Sequence, residues 1–216
     1  MTPVKYDAEK IMQTFIWTAL LLLTCSIFST FSAYFFSILI RQIIGTFVAT
    51  ICAYVLLPLI TCHYINKLSV RKYAWNDMIL RHALLTLSMV EGLLTGYILS
   101  NRILHNLSPF AALTPFFIGI IAPLLHSARQ NERSLLILIT IIGSFTCHIA
   151  IGILFGLTFP YILLTVFYTM ISFITLQLLI ANNDGTMVFT HIYQFAILYF
   201  SLLAESFVYK LFGTKS

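Results

Sequence analysis

Seven long apolar stretches, separated by short polar breaks, occupy nearly all of this 216-residue chain. Each has about the ~20 residues that a helix, rising ~1.5 Å per residue, needs to cross the ~30 Å hydrocarbon layer of a bilayer. A backbone in lipid must satisfy its own hydrogen bonds, so stretches of this length become helices. The pattern predicts an all-α, polytopic integral membrane protein with seven transmembrane helices, at about 13–34, 42–64, 79–99, 109–127, 134–156, 159–181 and 187–209.

The composition agrees with this prediction. Hydrophobic residues make up 60% of the chain and charged residues only 9%, against roughly 25% charged residues in soluble domains. A soluble protein this apolar could not cover its surface with polar groups. Because the seven stretches leave only short tails, we expect a single transmembrane domain over 1–216.

The net charge of +5 does not indicate a nucleic-acid partner, because every Lys and Arg lies in a tail, a connection or near a helix end. With the N-terminus in the cytoplasm, eight basic residues lie on the cytoplasmic side: Lys5, Lys10, Lys67, Arg71, Lys72, Arg81, Arg129 and Arg133. Four lie on the far side: Arg41, Arg102, Lys210 and Lys215. The positive-inside rule therefore predicts a cytoplasmic N-terminus and a C-terminus on the far side, with the lipid bilayer as partner. A bacterial inner membrane and a eukaryotic endomembrane fit equally well.

Ionisable side chains at membrane depth are functional candidates, because a charge in hydrocarbon is costly. Glu91 lies in the middle of the third span, either as a cation ligand or as a neutral carboxyl bonded to a nearby Ser or Thr. Glu205 lies in the last span, five residues before Lys210, a spacing that does not favour a local ion pair. His148 is central in the fifth span, as a proton relay or as a satisfied core histidine. Together with Gln177 of the sixth span, these residues are the candidates for an ion path.

Catalytic signatures are missing from the sequence. It contains no G-x-S-x-G, H-E-x-x-H or P-loop motif and no pair of intramembrane Asp residues. The four cysteines fall inside apolar spans without a C-x-x-C pair, which indicates small buried side chains rather than a zinc site or a disulfide. We therefore predict that the chain is not an enzyme and uses no metal or cofactor.

Glycines and prolines predict local packing. Gly92 and Gly96 of the third span form a small-xxx-small pair, which is typical of helices that approach each other closely. Pro115 and Pro123 both fall in the fourth span, which we expect to be kinked or locally unwound.

Four stretches in order resemble the Bax inhibitor-1 (transmembrane Bax inhibitor motif) family of seven-helix membrane proteins. They are Lys10-Ile-Met-Gln-Thr-Phe, then Glu91-Gly-Leu-Leu-Thr-Gly-Tyr, then Phe173-Ile-Thr-Leu-Gln-Leu-Leu-Ile-Ala-Asn-Asn-Asp-Gly, and finally Ile197-Leu-Tyr-Phe continuing to Val208-Tyr-Lys-Leu-Phe-Gly. Together they extend over nearly the whole chain. The resemblance implies a bundle whose C-terminal helix lies near the centre.

The same resemblance implies a passive calcium leak and a modulating effect on cell death or stress, with calcium ions as a partner. Family members carry two Asp residues that form a pH-dependent plug, and these positions fall on Thr175 and Phe200. A Thr and a Phe cannot titrate in this way, so the resemblance implies a leak without the pH switch. The alternative is a non-conducting membrane scaffold that binds and regulates other membrane proteins.

Overall fold

The computed structural model describes residues 8–69, 74–104, 108–128, 133–182 and 187–215. Its helices, in chain order, are α1 (Ala8–Phe31), a first π-helical segment (Ser32–Phe36), α2 (Ser37–Ile43), α3 (Thr46–Ile51), a second π-helical segment (Cys52–Leu56), α4 (Leu57–Ser69), α5 (Ala74–Leu99), α6 (Leu113–Ala128), α7 (Arg133–Phe155), α8 (Phe159–Ala181) and α9 (Met187–Phe212). One antiparallel pair, β1 (Arg102–Ile103) and β2 (Thr214–Lys215), joins the connection after α5 to the end of the chain.

In the described ranges these helices form seven continuous rods, because each π-helical segment joins the α-helices on either side of it. The predicted all-α class is confirmed. Six rods are long and apolar enough to cross a membrane; α6 is not, since its apolar part covers only Leu113–Leu125. The prediction of seven full-length spans was therefore wrong for the fourth.

Two rod boundaries differ from the predicted ones for local reasons. The first rod continues to Ile43 rather than ending near 34, because no proline or glycine interrupts the chain before Gly45. The fourth begins at Leu113 rather than near 109, which places Pro115 in its first turn, where a missing N–H is tolerated. The helix then continues through Pro123, so the predicted unwinding is not observed.

The centre of the bundle is shared by its first and last helices. α1 packs on α5 and α6 and also contacts α9, whereas α9 packs on α8, α1, α5 and α4. The C-terminal helix therefore lies near the centre, as predicted, but it shares this position with α1. α7 lies further out, packed on α6 and α8.

α1 and α5 approach each other closely at the two predicted glycines. A Cβ atom at Gly92 would lie 2.4 Å from the Cys25 carbonyl oxygen, and one at Gly96 would lie 2.1 Å from the Ser29 carbonyl oxygen. Nearby, the Ser32 hydroxyl donates to the Leu93 carbonyl oxygen over 2.6 Å. The small-xxx-small prediction is confirmed, and the third rod is held against the first at backbone distance.

The two ends of the bundle carry different features. We call the end at which α1 begins the N-terminal end and the end at which α9 finishes the C-terminal end. Arg102 lies at the C-terminal end, where its Nη1 donates to the Lys210 carbonyl oxygen at 2.6 Å and to that of Tyr209 at 3.4 Å. A cation at the last carbonyls of a helix is stabilised by the helix dipole.

Candidate functional site

Glu91 is the more deeply buried of the two predicted acids. Its exposed fraction is 2%, and neither carboxyl oxygen has a hydrogen-bond partner within the described part of the chain. The nearby Ser88 hydroxyl donates instead to the Leu85 carbonyl oxygen of its own helix, over 2.7 Å. A buried polar group without a partner loses its hydration and gains nothing in return, so Glu91 destabilises the fold by about 1–3 kcal/mol.

This leads to a first prediction: Glu91→Met raises the free energy of unfolding by about 1–3 kcal/mol, because a thioether of similar length needs no hydrogen-bond partner. Thermal unfolding of the purified chain in detergent measures the change. Glu91→Gln serves as the control, since an amide keeps the unsatisfied polar atoms and should be less stable than the Met variant. A Met variant less stable than wild type would mean that the carboxyl has a compensating partner.

Glu205 lies on α9 and lines a cavity of about 540 Å³. The cavity occupies the C-terminal half of the bundle and is bounded by α1, the end of α5, the connection that follows it, α8 and α9. Among the described residues, Glu205 makes no ion pair with Lys210, which agrees with the unfavourable spacing. Cys25 of α1 lines the same cavity as Glu205, and its carbonyl oxygen faces Gly92, the residue next to Glu91. The fold thus brings the two acids into one region.

Tyr54 connects the second rod to α9, close to Glu205, through two hydrogen bonds. Its hydroxyl is hydrogen-bonded to the Ser206 hydroxyl, next to Glu205. The Tyr199 hydroxyl donates to the backbone carbonyl oxygen of Tyr54 over 2.8 Å. The π-helical geometry of Cys52–Leu56 widens one turn of the helix and presents Tyr54 to α9. Sequence reasoning missed Tyr54, because a tyrosine in an apolar run carries no pattern that separates it from its neighbours.

His148 lies elsewhere, in a cluster between α6, α7 and α8. It is fully buried, and its Nε2 lies 2.8 Å from the Thr114 hydroxyl. The Tyr161 hydroxyl donates to the His148 carbonyl oxygen over 2.9 Å, and the Phe117 ring packs edge-on against the imidazole. Since α7 packs on α6 and α8, His148 is not brought together with Glu91 or Glu205.

The remaining predicted positions do not converge. Gln177 is exposed on α8. Thr175 is buried, and its hydroxyl donates to the Ile171 carbonyl oxygen of its own helix over 2.8 Å. Phe200 is 52% exposed on the outer surface of α9. A pair of side chains that share a hydrogen bond must face each other, and these two positions face different surroundings.

A buried polar network at the N-terminal end was not predicted. Nε2 of His191 lies 2.7 Å from Oδ1 of Asp77, and Nδ1 lies 3.0 Å from Oε1 of Gln194. Arg81 donates to the other oxygen of Asp77 over 2.9 Å, and its guanidinium lies 5.0 Å from the centre of the Trp17 ring. Three helices, α1, α5 and α9, are thereby linked. The sequence signal was an Asp and a His that each begin an apolar span on the same side of the predicted membrane.

Comparison with known proteins corrects the family assignment. No curated protein and no solved structure matches the chain. The family model that matches is not that of the Bax inhibitor-1 family, so that resemblance was wrong, and with it the calcium leak and the effect on cell death. The motifs that suggested it consist of small and apolar residues that many membrane helices share. The description of the matching family as an interactor agrees with the coarser prediction of a protein partner. The model of the family described as "Interactor of ZYG-11" matches residues 1–215, and the chain belongs to this family.

Proposed function

We propose that this chain is an integral membrane protein that binds a ZYG-11 protein at the N-terminal end of its bundle and catalyses no reaction. The match of the family model over residues 1–215 carries the proposal, because the family is described by that interaction. The match extends over nearly the full sequence, so it includes every rod and the connections between them.

Two observations support a position in the membrane. Six rods are long and apolar enough to cross a bilayer. Large apolar side chains also point outward along the rods, among them Ile43 with 81% exposed, Leu154 with 80% and Tyr34 with 79%. Soluble monomers rarely expose broad apolar surfaces, whereas a lipid-facing surface is expected to be apolar.

Charge supports the choice of the N-terminal end as the cytoplasmic one. The sequence-based topology assigns eight of the twelve basic residues to that end, and by the positive-inside rule an end rich in Lys and Arg is expected in the cytoplasm. Of these eight, Lys5, Arg71, Lys72 and Arg129 lie outside the described residues. Lys67 is described: it is exposed in the last turn of α4, next to the connection that leads to α5. Its exposed positive charge is available to a partner in the cytoplasm.

A binding measurement with a matched pair of variants tests this proposal. Lys67 and Arg41 are both exposed and both lie in the last turn of a helix, at opposite ends of the bundle. We expect the purified full chain in nanodiscs to bind a purified ZYG-11 protein. We expect Lys67→Glu to weaken binding about tenfold, since like charges across an interface change affinity by more than ~1 kcal/mol. Arg41→Glu should leave it unchanged.

Three results separate the parts of the proposal. Absence of binding by the wild-type chain would contradict the function itself. Binding that Arg41→Glu weakens and Lys67→Glu does not would place the partner at the C-terminal end. Equal affinity for all three proteins would show that neither basic position contacts the partner, which contradicts the proposed surface.

A further inference from the structure

The lining of the 540 Å³ cavity combines apolar side chains with polar ones, which include an acid and a base. Glu205 and Arg102 both line it, together with the hydroxyls of Ser29, Ser108 and Tyr209. Arg102 lies at the level of the last carbonyls of α9. Glu205 precedes Tyr209 by four residues, which places it about 6 Å deeper along the helix. The carboxyl group of Glu205 and the guanidinium of Arg102 therefore line the cavity at different depths.

Neither Arg102 nor Glu205 uses all of its hydrogen-bonding capacity within the described part of the chain. In the ranges that the structure describes, the hydrogen bonds of Arg102 use only Nη1, although a guanidinium carries five N–H donors. No hydrogen bond or ion pair to the Glu205 carboxyl is recorded among the described residues. Both residues line the cavity, and each keeps hydrogen-bonding capacity that no described residue uses.

An apolar groove adjoins this cavity on the outer face of the bundle. It has a volume of about 360 Å³ and is lined by Ile27, Phe31 and Phe35 with Tyr34 and Phe110. Ser26, Thr30, Tyr34 and Phe110 line both the groove and the cavity, so the two spaces meet along a shared border. The groove residues are exposed: Phe35 by 68% and Ile27 by 57%. In a bilayer such a groove contacts acyl chains.

We propose that the cavity and the groove together form a binding site for phosphatidylethanolamine, with the amine on Glu205, the phosphate on Arg102 and an acyl chain in the groove. A protonated amine donates charge-assisted hydrogen bonds to a carboxylate. A guanidinium suits phosphate oxygens, since its planar donors bind two of them together. The headgroup joins its phosphate to its amine through a short linker, so one molecule meets both charges of the cavity while its tail stays in lipid. The site requires the membrane position proposed above but not the ZYG-11 interaction.

Competition binding with the full chain in detergent tests this site. The probe is phosphatidylethanolamine with a fluorophore on one acyl chain, and the competitors are unlabelled phosphatidylethanolamine and phosphatidylglycerol, which has the phosphate but lacks the amine. We expect wild type to prefer phosphatidylethanolamine at least tenfold. Glu205→Gln should abolish this preference while affinity for phosphatidylglycerol stays unchanged, which shows that the variant is folded. Glu91→Gln, a change in the acid that does not line the cavity, should retain the preference.

Two further arms test the rest of the site. Ser26→Trp fills the border between cavity and groove and should weaken both lipids about equally. Glycerophosphoethanolamine, which has the headgroup and no tail, should compete at least a hundredfold more weakly than the lipid. The proposal is overturned if wild type binds the two lipids equally, if Glu205→Gln keeps the preference, or if the free headgroup competes as well as the lipid.

Discussion

Gly96→Ala is expected to lower the free energy of unfolding by about 2–3 kcal/mol, because the new methyl group would meet backbone rather than a movable side chain. A Cβ atom at this position lies 2.1 Å from the Ser29 carbonyl oxygen, 2.7 Å from its carbonyl carbon and 2.8 Å from its Cα. Overpacking of a close contact costs about 1–3 kcal/mol even where side chains adjust. Here α1 and α5 must move apart along their shared face.

The matched control is the same substitution at Gly143 in the middle of α7. Among the described residues, a Cβ atom there meets only the Cδ1 atom of Ile121, at 3.2 Å, and the end of that side chain can shift. Alanine also favours a helix over glycine by about 1 kcal/mol, so Gly143→Ala should be neutral or slightly stabilising. Thermal unfolding in detergent, followed by circular dichroism, compares the two. If the variants were equally stable, the close approach of α1 and α5 would be contradicted.

The contact that this comparison tests also sets the geometry of the candidate site. Gly96 and Cys25 both line the cavity, and the Cys25 carbonyl oxygen faces Gly92. A shift of α5 away from α1 would therefore change the width of the cavity. We expect Gly96→Ala to weaken lipid binding as well as stability, whereas Gly143→Ala should affect neither.

Hydropathy predicted the rods well because burial in lipid depends on the length and polarity of a segment. The predicted spans at 134–156 and 159–181 differ from α7 and α8 by a residue at most. The predicted start of α6 was too early for a physical reason. Hydropathy scores an apolar run that includes Pro115 as a membrane span whether or not its first residues are helical. Hydropathy also cannot predict the π-helical segments, because a widened turn has the same composition as an α-helical one.

The site was predictable only in part. The depth of Glu91 within its span indicated burial, and the structure places it at 2% exposure. Which helices face each other is not encoded in a single apolar run, because lipid-facing and protein-facing surfaces have similar composition. For this reason the placement of Tyr54 beside Ser206 of α9, next to Glu205, was not predicted. The family assignment failed for a related reason. Short apolar motifs indicate that a segment lies in lipid, but many unrelated membrane proteins share them.

Among the described residues, we expect the hydrogen bond between Asp77 and His191 to be the polar contact that stabilises the packing of α5 on α9 most. We expect Asp77→Ala to lower the free energy of unfolding by about 3 kcal/mol, because it leaves the imidazole of His191 without its acceptor in a site where that side chain is only 1% exposed. Arg81→Ala should cost less than about 1 kcal/mol, since both partners of that pair keep about a quarter of their surface exposed.

A double-mutant cycle separates these two contacts of Asp77. Combining Asp77→Ala with His191→Ala should give a coupling energy of about 1–3 kcal/mol, because the two groups share one buried hydrogen bond. Combining Asp77→Ala with Arg81→Ala should give about 0.3–0.5 kcal/mol, the value of an exposed pair four residues apart on a helix. Unfolding of all five variants in detergent measures both. Equal coupling energies for the two pairs would mean that the Asp77–His191 hydrogen bond stabilises the fold no more than the exposed pair within α5. The packing of α5 on α9 would then depend on apolar contacts.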